Sequence, residues 1–208
     1  PLTAIQSELD VTLRKSRSQG TYREALTTIR QHTKALSDML DELMTLSEAE
    51  AIATGDGAAP VNLAARVQSC VEDFTIRARR CGIHLQCDLP AEAQVAMPVD
   101  YINTLTENLL DNALKYTPEG GRVQITVDAT GDVAVLQVKD NGIGFAPADS
   151  HRLFDRFYRS DHAEAVAPGS GLGLPIVKAI AEGYGGAVRA ESKGTETGST
   201  FEVWIPLV

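Results

Sequence analysis

The stretch 105-LTENLLDNALKYTPEG-120 carries two superposed patterns. Leu105, Leu109, Leu110, Ala113 and Leu114 recur at helical spacing and supply one apolar face. Asn108 and Asn112 are four apart and project from another face, with Lys115 three residues beyond Asn112. The pattern predicts a helix over 99–116, stopped by 117-TPEGG-121. Amide oxygens can ligate a hard divalent cation, and lysine can neutralise phosphate. Two solvated amides are the plain alternative, and the spacing alone does not separate the two readings. The five apolar residues nonetheless supply the buried side, so the polar pair faces something other than that core.

Working outward, 122-RVQITV-127 and 133-VAVLQVKD-140 read as a hairpin about a 131-GD-132 turn. Asp140 ends the second strand, where a carboxylate can accept from an amino group in a pocket. The following 140-DNGIGF-145 places Gly142 and Gly144 where a side chain would obstruct close approach of a ligand. Residues 145–170 read as a long mobile loop with a knot of aromatic and basic residues, 152-RLFDRFYRSD-161. Phe154, Phe157 and Tyr158 alternate there with Arg152, Arg156 and Arg159. Then 169-GSGLGLPIVKAI-180 brings three glycines before a helix over about 172–183, a geometry that presents backbone N–H groups to an anion. Strands at 186-GAVRAES-192 and 199-STFEVWIP-206 close the chain. Upstream, Asn62 is placed to cap a helix over 63–80 with Leu63, Val67, Val71 and Phe74 inside, followed by a strand at 83-IHLQCDL-89. The expected fold is an α+β two-layer sandwich, a mixed sheet with helices on one face.

Residues 1–53 are glycine-poor and read as two helices broken at 16-SRSQGT-21. In the second, Leu26, Ile29, Thr33, Leu36, Leu40, Leu43 and Ser47 alternate in spacings of three and four; in the first, Leu2, Ile5, Leu9 and Leu13 share a face. Two helices bury too little alone, so a hairpin dimerising into a four-helix bundle is the natural completion, with packing on the chain's own globular part as the alternative. The segment 54-TGDGAAP-60 reads as a linker, dividing the chain into 1–53, 54–60 and 61–208.

The net charge of −9 argues against a nucleic-acid partner, which would call for a basic face. Three cysteines without CxxC spacing, Cys70, Cys81 and Cys87, argue against a metal or disulfide framework and for a reducing compartment. No apolar run reaches the roughly 18–20 residues of a membrane span. The first residue is proline, so the sequence reads as a portion of a longer protein.

The order of these stretches resembles the nucleotide-binding signature of the histidine protein kinases, within the wider GHKL family that includes DNA gyrase, the Hsp90-type chaperones and MutL. Residues 105–116 are similar to the N box, 140–144 to the first glycine box, 153–159 to the F box, 169–174 to the second glycine box, and 198–206 to the last. The resemblance implies a Bergerat-type sandwich that binds ATP with Mg²⁺. It implies Asn112 and Asn108 as Mg²⁺ ligands, Lys115 on phosphate and Tyr116 against the nucleotide. Asp140 would accept from the adenine amino group with Thr200 nearby, while Gly142 and Gly144 shape the pocket. Gly169, Gly171, Leu172, Gly173 and Leu174 would turn backbone N–H groups to the phosphates, with Arg159 on the γ-phosphate and Arg156 a second candidate.

Gyrase-type and chaperone-type members carry a water-activating glutamate where this chain has Asn108. A neutral amide is no general base near pH 7, and Glu107 points about 100° away around the helix. The resemblance therefore implies a protein-histidine phosphotransferase. Its opening 1-PLTAIQSELDV-11 is similar to the end of the phosphoacceptor motif H-E-x-x-T/N-P-L-T, which puts the acceptor histidine upstream of Pro1 and outside this chain. His32, His84, His151 and His162 lack that motif. These 208 residues alone are therefore not expected to autophosphorylate. The implied whole is a homodimeric, membrane-anchored sensor of the bacterial inner membrane. Residues 1–53 would form the dimer, this part would be cytoplasmic without direct membrane contact, and a response-regulator receiver domain would be the partner. A non-catalytic docking module or a gyrase-type ATPase are the alternatives.

Overall fold

The structure, a computed structural model, describes residues 2–52, 58–89 and 92–208. Most of the expected linker, residues 54–57, lies outside the described residues. Contacts divide the chain into two units, with the break after Thr45.

The first unit holds α1 (Leu2–Leu13) and most of α2 (Gln19–Glu50), joined through residues 14–18. Leu2, Leu9, Leu13, Leu26, Leu40 and Met44 are exposed, so both helices carry apolar side chains that this chain does not cover. The less exposed stripe of α2 runs through Tyr22, Ala25, Ile29, His32, Leu36, Met39 and Leu43. It shares Ile29, Leu36 and Leu43 with the expected seam and leaves Leu26 and Leu40 on the open side. An alternating three-four spacing admits two overlapping stripes, and only packing selects between them.

In the second unit, α3 (Leu63–Arg80) and α4 (Val99–Tyr116) fall where the sequence places them. The Asn62 side chain accepts from the Ala65 N–H at 3.1 Å, capping α3. Asn62→Ala is expected to cost about 1 kcal/mol, read as a lower denaturant midpoint at unchanged slope. A five-stranded sheet runs in the order β2 (His84–Asp88), β4 (Arg122–Thr130), β5 (Val133–Asp140), β7 (Thr200–Pro206), β6 (Ala187–Glu191). The β2–β4 pair is parallel and the other three are antiparallel, so the sheet is mixed. Thr130 pairs with Val133, which leaves Gly131 and Asp132 as the two-residue hairpin turn.

Alternation decides which face is covered. Val123, Ile125 and Val127 of β4, Ala134, Leu136 and Val138 of β5, and Phe201, Val203 and Ile205 of β7 are buried on one face. The helical layer supplies Val67, Val71 and Phe74 of α3, Leu105, Leu109 and Leu110 of α4, and Ile176, Val177 and Ile180 of α6 (Gly173–Gly183). The opposite face carries Gln137, which donates to Glu202 at 2.9 Å, and the half-buried Trp204. This is a two-layer sandwich.

Two features were not legible beforehand. Two-residue strands β1 (Val61–Asn62) and β3 (Gln94–Val95) pair with each other, too short to leave any periodicity. Residues 145–170, expected as one long loop, contain two single 3₁₀ turns at 147–149 and 152–154 and the short helix α5 (Asp161–Val166). The Ser160 hydroxyl accepts from the Ala163 N–H and starts that helix.

Candidate functional site

The apolar side of α4 is sealed, while Asn108, Asn112, Lys115 and Tyr116 remain half-buried along the other side. The Asn108 amide donates to the Thr104 carbonyl at 2.8 Å. That bond uses its nitrogen and turns Oδ1 toward α6, where a Cβ on Gly173 would stand 2.6 Å from it. The Asn112 amide forms no hydrogen bond among the described residues.

Lys115 Nζ lies 5.0 Å from the Tyr116 ring centroid and directly against Gly169. The Arg159 guanidinium carbon is 3.9 Å from the same Cβ position on Gly169. Two cations thus flank one glycine, and neither has a carboxylate partner among the described residues. The amides of Gly173 and Leu174, at the start of α6, have no acceptor among those residues either. Leu172 differs, because its N–H bonds Ser170 Oγ at 3.1 Å. Leu172 and Leu174 send their side chains into the core, which seats the loop. Unneutralised cations beside free helix-start amides make a local field suited to a polyanion.

Arg159 also organises the loop it sits in. It donates to the carbonyls of Gly169 at 3.4 Å and Ala163 at 2.9 Å, and to that of Ala167, so residues 160–169 wrap around the guanidinium. Arg156 is elsewhere. Its guanidinium pairs with the carboxylate of Glu50, at the end of α2, and does not join Lys115 and Arg159. Of the three aromatics in that segment, Phe154 and Tyr158 are half-buried and Arg152 stacks 4.3 Å over Tyr158. Phe157 is 54% exposed in a left-handed conformation (φ 63°), held by its N–H to the Gly171 carbonyl at 3.0 Å.

Asp140 lies at the end of β5, only 6% exposed. Its Oδ1 accepts from the Gly142 N–H at 2.8 Å and the Ser199 N–H at 3.2 Å. Burial raises its pKa above the usual carboxylate value, and the bonds from Gly142 and Ser199 oppose that shift. Both bonds fall on Oδ1, so Oδ2 is left to accept from a ligand. Gly142 passes so close to α4 that a Cβ there would be 2.8 Å from the Tyr116 carbonyl carbon, and closer to its oxygen. Gly144 packs in the same way on the 192–198 segment, with a φ of 60°.

The residue of the last glycine-box segment that meets Asp140 is Ser199, not Thr200. Thr200 pairs with Lys139 in the β5–β7 register and shares its face of the sheet, opposite to Asp140. Phe201 and Val203 are buried, so counting back by two points to Ser199, a period-two signal already present in the sequence. Glu107 stands apart from the site. Its carboxyl pKa is raised, by burial first and then by the charges of Asp111 and of Asp73 on α3.

Residues 99–208 match the family model described as "Histidine kinase-, DNA gyrase B-, and HSP90-like ATPase". The chain is 34% identical over 208 residues to the sensor protein kinase PmrB of Pseudomonas aeruginosa, covering 99% of this chain and 43% of that protein. It is 31% identical to the structure of a mycobacterial sensor histidine kinase, MprB, with a TM-score of 0.63 over 72% of this chain and 97% of that one. A structure of the histidine kinase ThkA in complex with the response regulator protein TrrA shares the fold at a TM-score of 0.76, covering 100% of this chain and 58% of that one, at 20% identity. The chain spans about half the length of the curated relatives it matches.

Proposed function

Because this chain belongs to the family of histidine kinase-, DNA gyrase B- and HSP90-like ATPases, on its sensor histidine kinase branch, we propose that it binds Mg-ATP and is the kinase core of a two-component sensor. The γ-phosphoryl group goes to a histidine on the helical hairpin and from there to an aspartate of a response-regulator receiver domain. In this reading residues 1–53 are the dimerising hairpin, 54–60 the linker and 61–208 the catalytic domain, and the exposed leucines of α1 and α2 form the homodimer seam.

One observation carries the proposal: Asn108, Lys115 and Arg159 converge on the Gly169–Gly173 loop with no carboxylate among them. The residues present fit the ligands. Asn112, assisted by Asn108 Oδ1, offers hard amide oxygens for Mg²⁺, which when bound offsets charge on the phosphates. Lys115, Arg159 and the amides of Gly173 and Leu174 surround the place of the triphosphate. Asp140 Oδ2 accepts from the adenine amino group, Gly142 and Ile143 line the base, and Tyr116 stands at its side. The chain's own contribution is positioning and charge compensation, while docking onto the hairpin supplies the in-line approach.

The rival ATPase reading needs a base to activate water. Asn108 is an amide with its nitrogen committed to Thr104, and Glu107 is one position off, about 100° around the helix. Nothing on the site side of α4 takes that role, which favours transfer over hydrolysis.

Calorimetric titration with Mg-ATP tests the site. Asn112→Ala is expected to weaken binding at least about tenfold in Mg²⁺ and to change little in EDTA, since it removes a metal ligand. Unchanged affinity in Mg²⁺ would count against the assignment.

A further inference from the structure

Resting on that nucleotide-site reading, we propose that His162 and Glu196 form a clasp across the mouth of the site, which sets how long a bound nucleotide is retained. His162 Nε2 and Glu196 Oε1 are 3.1 Å apart. The two residues are 34 positions apart in sequence. His162 is on α5, in the 160–169 segment that wraps Arg159 and carries Gly169. Glu196 is on the segment between β6 and β7, whose other end, Gly198–Ser199, backs Asp140. The pair therefore joins the segment over the phosphate end to the wall of the base end.

The two sides differ in rigidity. The 192–198 segment is tied down from within: the single Ser192 hydroxyl proton is shared between the carbonyls of Gly198 at 2.7 Å and Gly194 at 2.9 Å, and Oγ accepts from the Phe145 N–H at 3.2 Å. The Gly198 N–H bonds the Gly142 carbonyl at 3.0 Å, and the Glu196 N–H bonds that of Ile143 at 2.6 Å. Glu196 holds a φ of 61°, a left-handed conformation that most residues with a Cβ adopt only at a cost. Glycine or asparagine would relieve it. A glutamate standing at a position its backbone disfavours, with its carboxylate 3.1 Å from His162 Nε2, points to a side-chain role. On the opposite side, α5 is only six residues long and its start rests on the Ser160 cap. The clasp is the side-chain link from this short helix to the rigid wall.

Opening the clasp frees α5 to swing away, so its strength appears in the dissociation rate of nucleotide and not in the association rate. Both groups are partly exposed, the His162 side chain by 43% and the Glu196 side chain by 73%, so the effect is modest. The test is stopped-flow displacement of a fluorescent ATP analogue from the full 208-residue chain in Mg²⁺. His162→Ala and Glu196→Ala are each expected to raise the dissociation rate roughly two- to fivefold with the association rate unchanged. The double variant should be no faster than either single one, and His162→Lys, which sets a hydrogen-bond donor opposite the Glu196 carboxylate, should return the rate toward that of the wild type. A dissociation rate unmoved in both single variants, or effects that multiply in the double variant, would overturn the clasp. Asn112→Ala separates the two failures. Probe binding that is indifferent to it removes the site reading and the clasp together; binding sensitive to it, with no change in His162→Ala, removes the clasp alone.

Discussion

Asp140→Asn is expected to weaken ATP binding by roughly a hundredfold while leaving the protein folded and no less stable. The reason lies in the two bonds on Oδ1. The N–H groups of Gly142 and Ser199 require an acceptor at that atom, so an asparagine must place its oxygen there and its NH₂ where Oδ2 now stands. An NH₂ group facing the adenine amino group sets donor against donor in a buried position. A purine with a 6-oxo group would meet that NH₂ as an acceptor, so the penalty on GTP should be much smaller than on ATP. Stability moves the other way. Burial raises the carboxyl pKa in the folded protein, so this group costs stability increasingly as pH rises from the usual carboxylate value through the raised one. Asparagine does not ionise. The melting temperature of the variant relative to wild type, without nucleotide, should therefore climb as pH rises above the usual carboxylate value of about 4. Isothermal titration with ATP and GTP and a pH series of melts are the measurements. Wild-type ATP affinity in the variant would remove Asp140 from the base pocket.

Gly142→Ala is expected to be strongly destabilising, by about 3 kcal/mol, lowering the melting temperature by roughly 6–12 °C. The new methyl would collide with the Tyr116 carbonyl and stand 3.0 Å from Asp140 Oδ1. Both neighbours are fixed. The Tyr116 carbonyl accepts from the Ile143 N–H at 3.0 Å, and the Gly142 carbonyl accepts from Gly198. Relief requires withdrawing the 141–145 turn from the end of α4, which breaks these bonds and displaces Asp140. Loss of stability and loss of ATP binding should appear together, in contrast with Asp140→Asn. Gly131→Ala is the matched control: it has a left-handed φ but no atom within 4 Å of the added methyl, so it reports backbone strain alone.

Much of the site was legible along the chain because its parts are local. Asn108, Asn112 and Lys115 share a side of α4 through helical geometry, and the three glycines before α6 announce a loop that turns amides outward. What failed to be legible depends on pairs distant in sequence. The F box groups Arg156 with the phosphate-binding arginines, yet it meets Glu50, 106 residues away. Membership of the last glycine box implies Thr200 near Asp140. The β5–β7 register gives that contact to Ser199, 59 residues from Asp140. A strand shifted by one residue turns every side chain to the other face, and only cross-strand pairing sets the register.

The same division holds for the whole protein. By itself the sequence determined the helices at 63–80 and 99–116, the β4–β5 hairpin, the buried alternation of the sheet and the motif order that marks the family. Each follows from periodicity or from a turn residue acting within a few positions of itself. Tertiary structure alone decided the strand order β2-β4-β5-β7-β6, the convergence of Lys115 and Arg159 on Gly169, the partners of Arg156 and Asp140, and the His162–Glu196 bridge. These depend on packing between elements, where side chains meet only after apolar faces have set the distance and register between backbones.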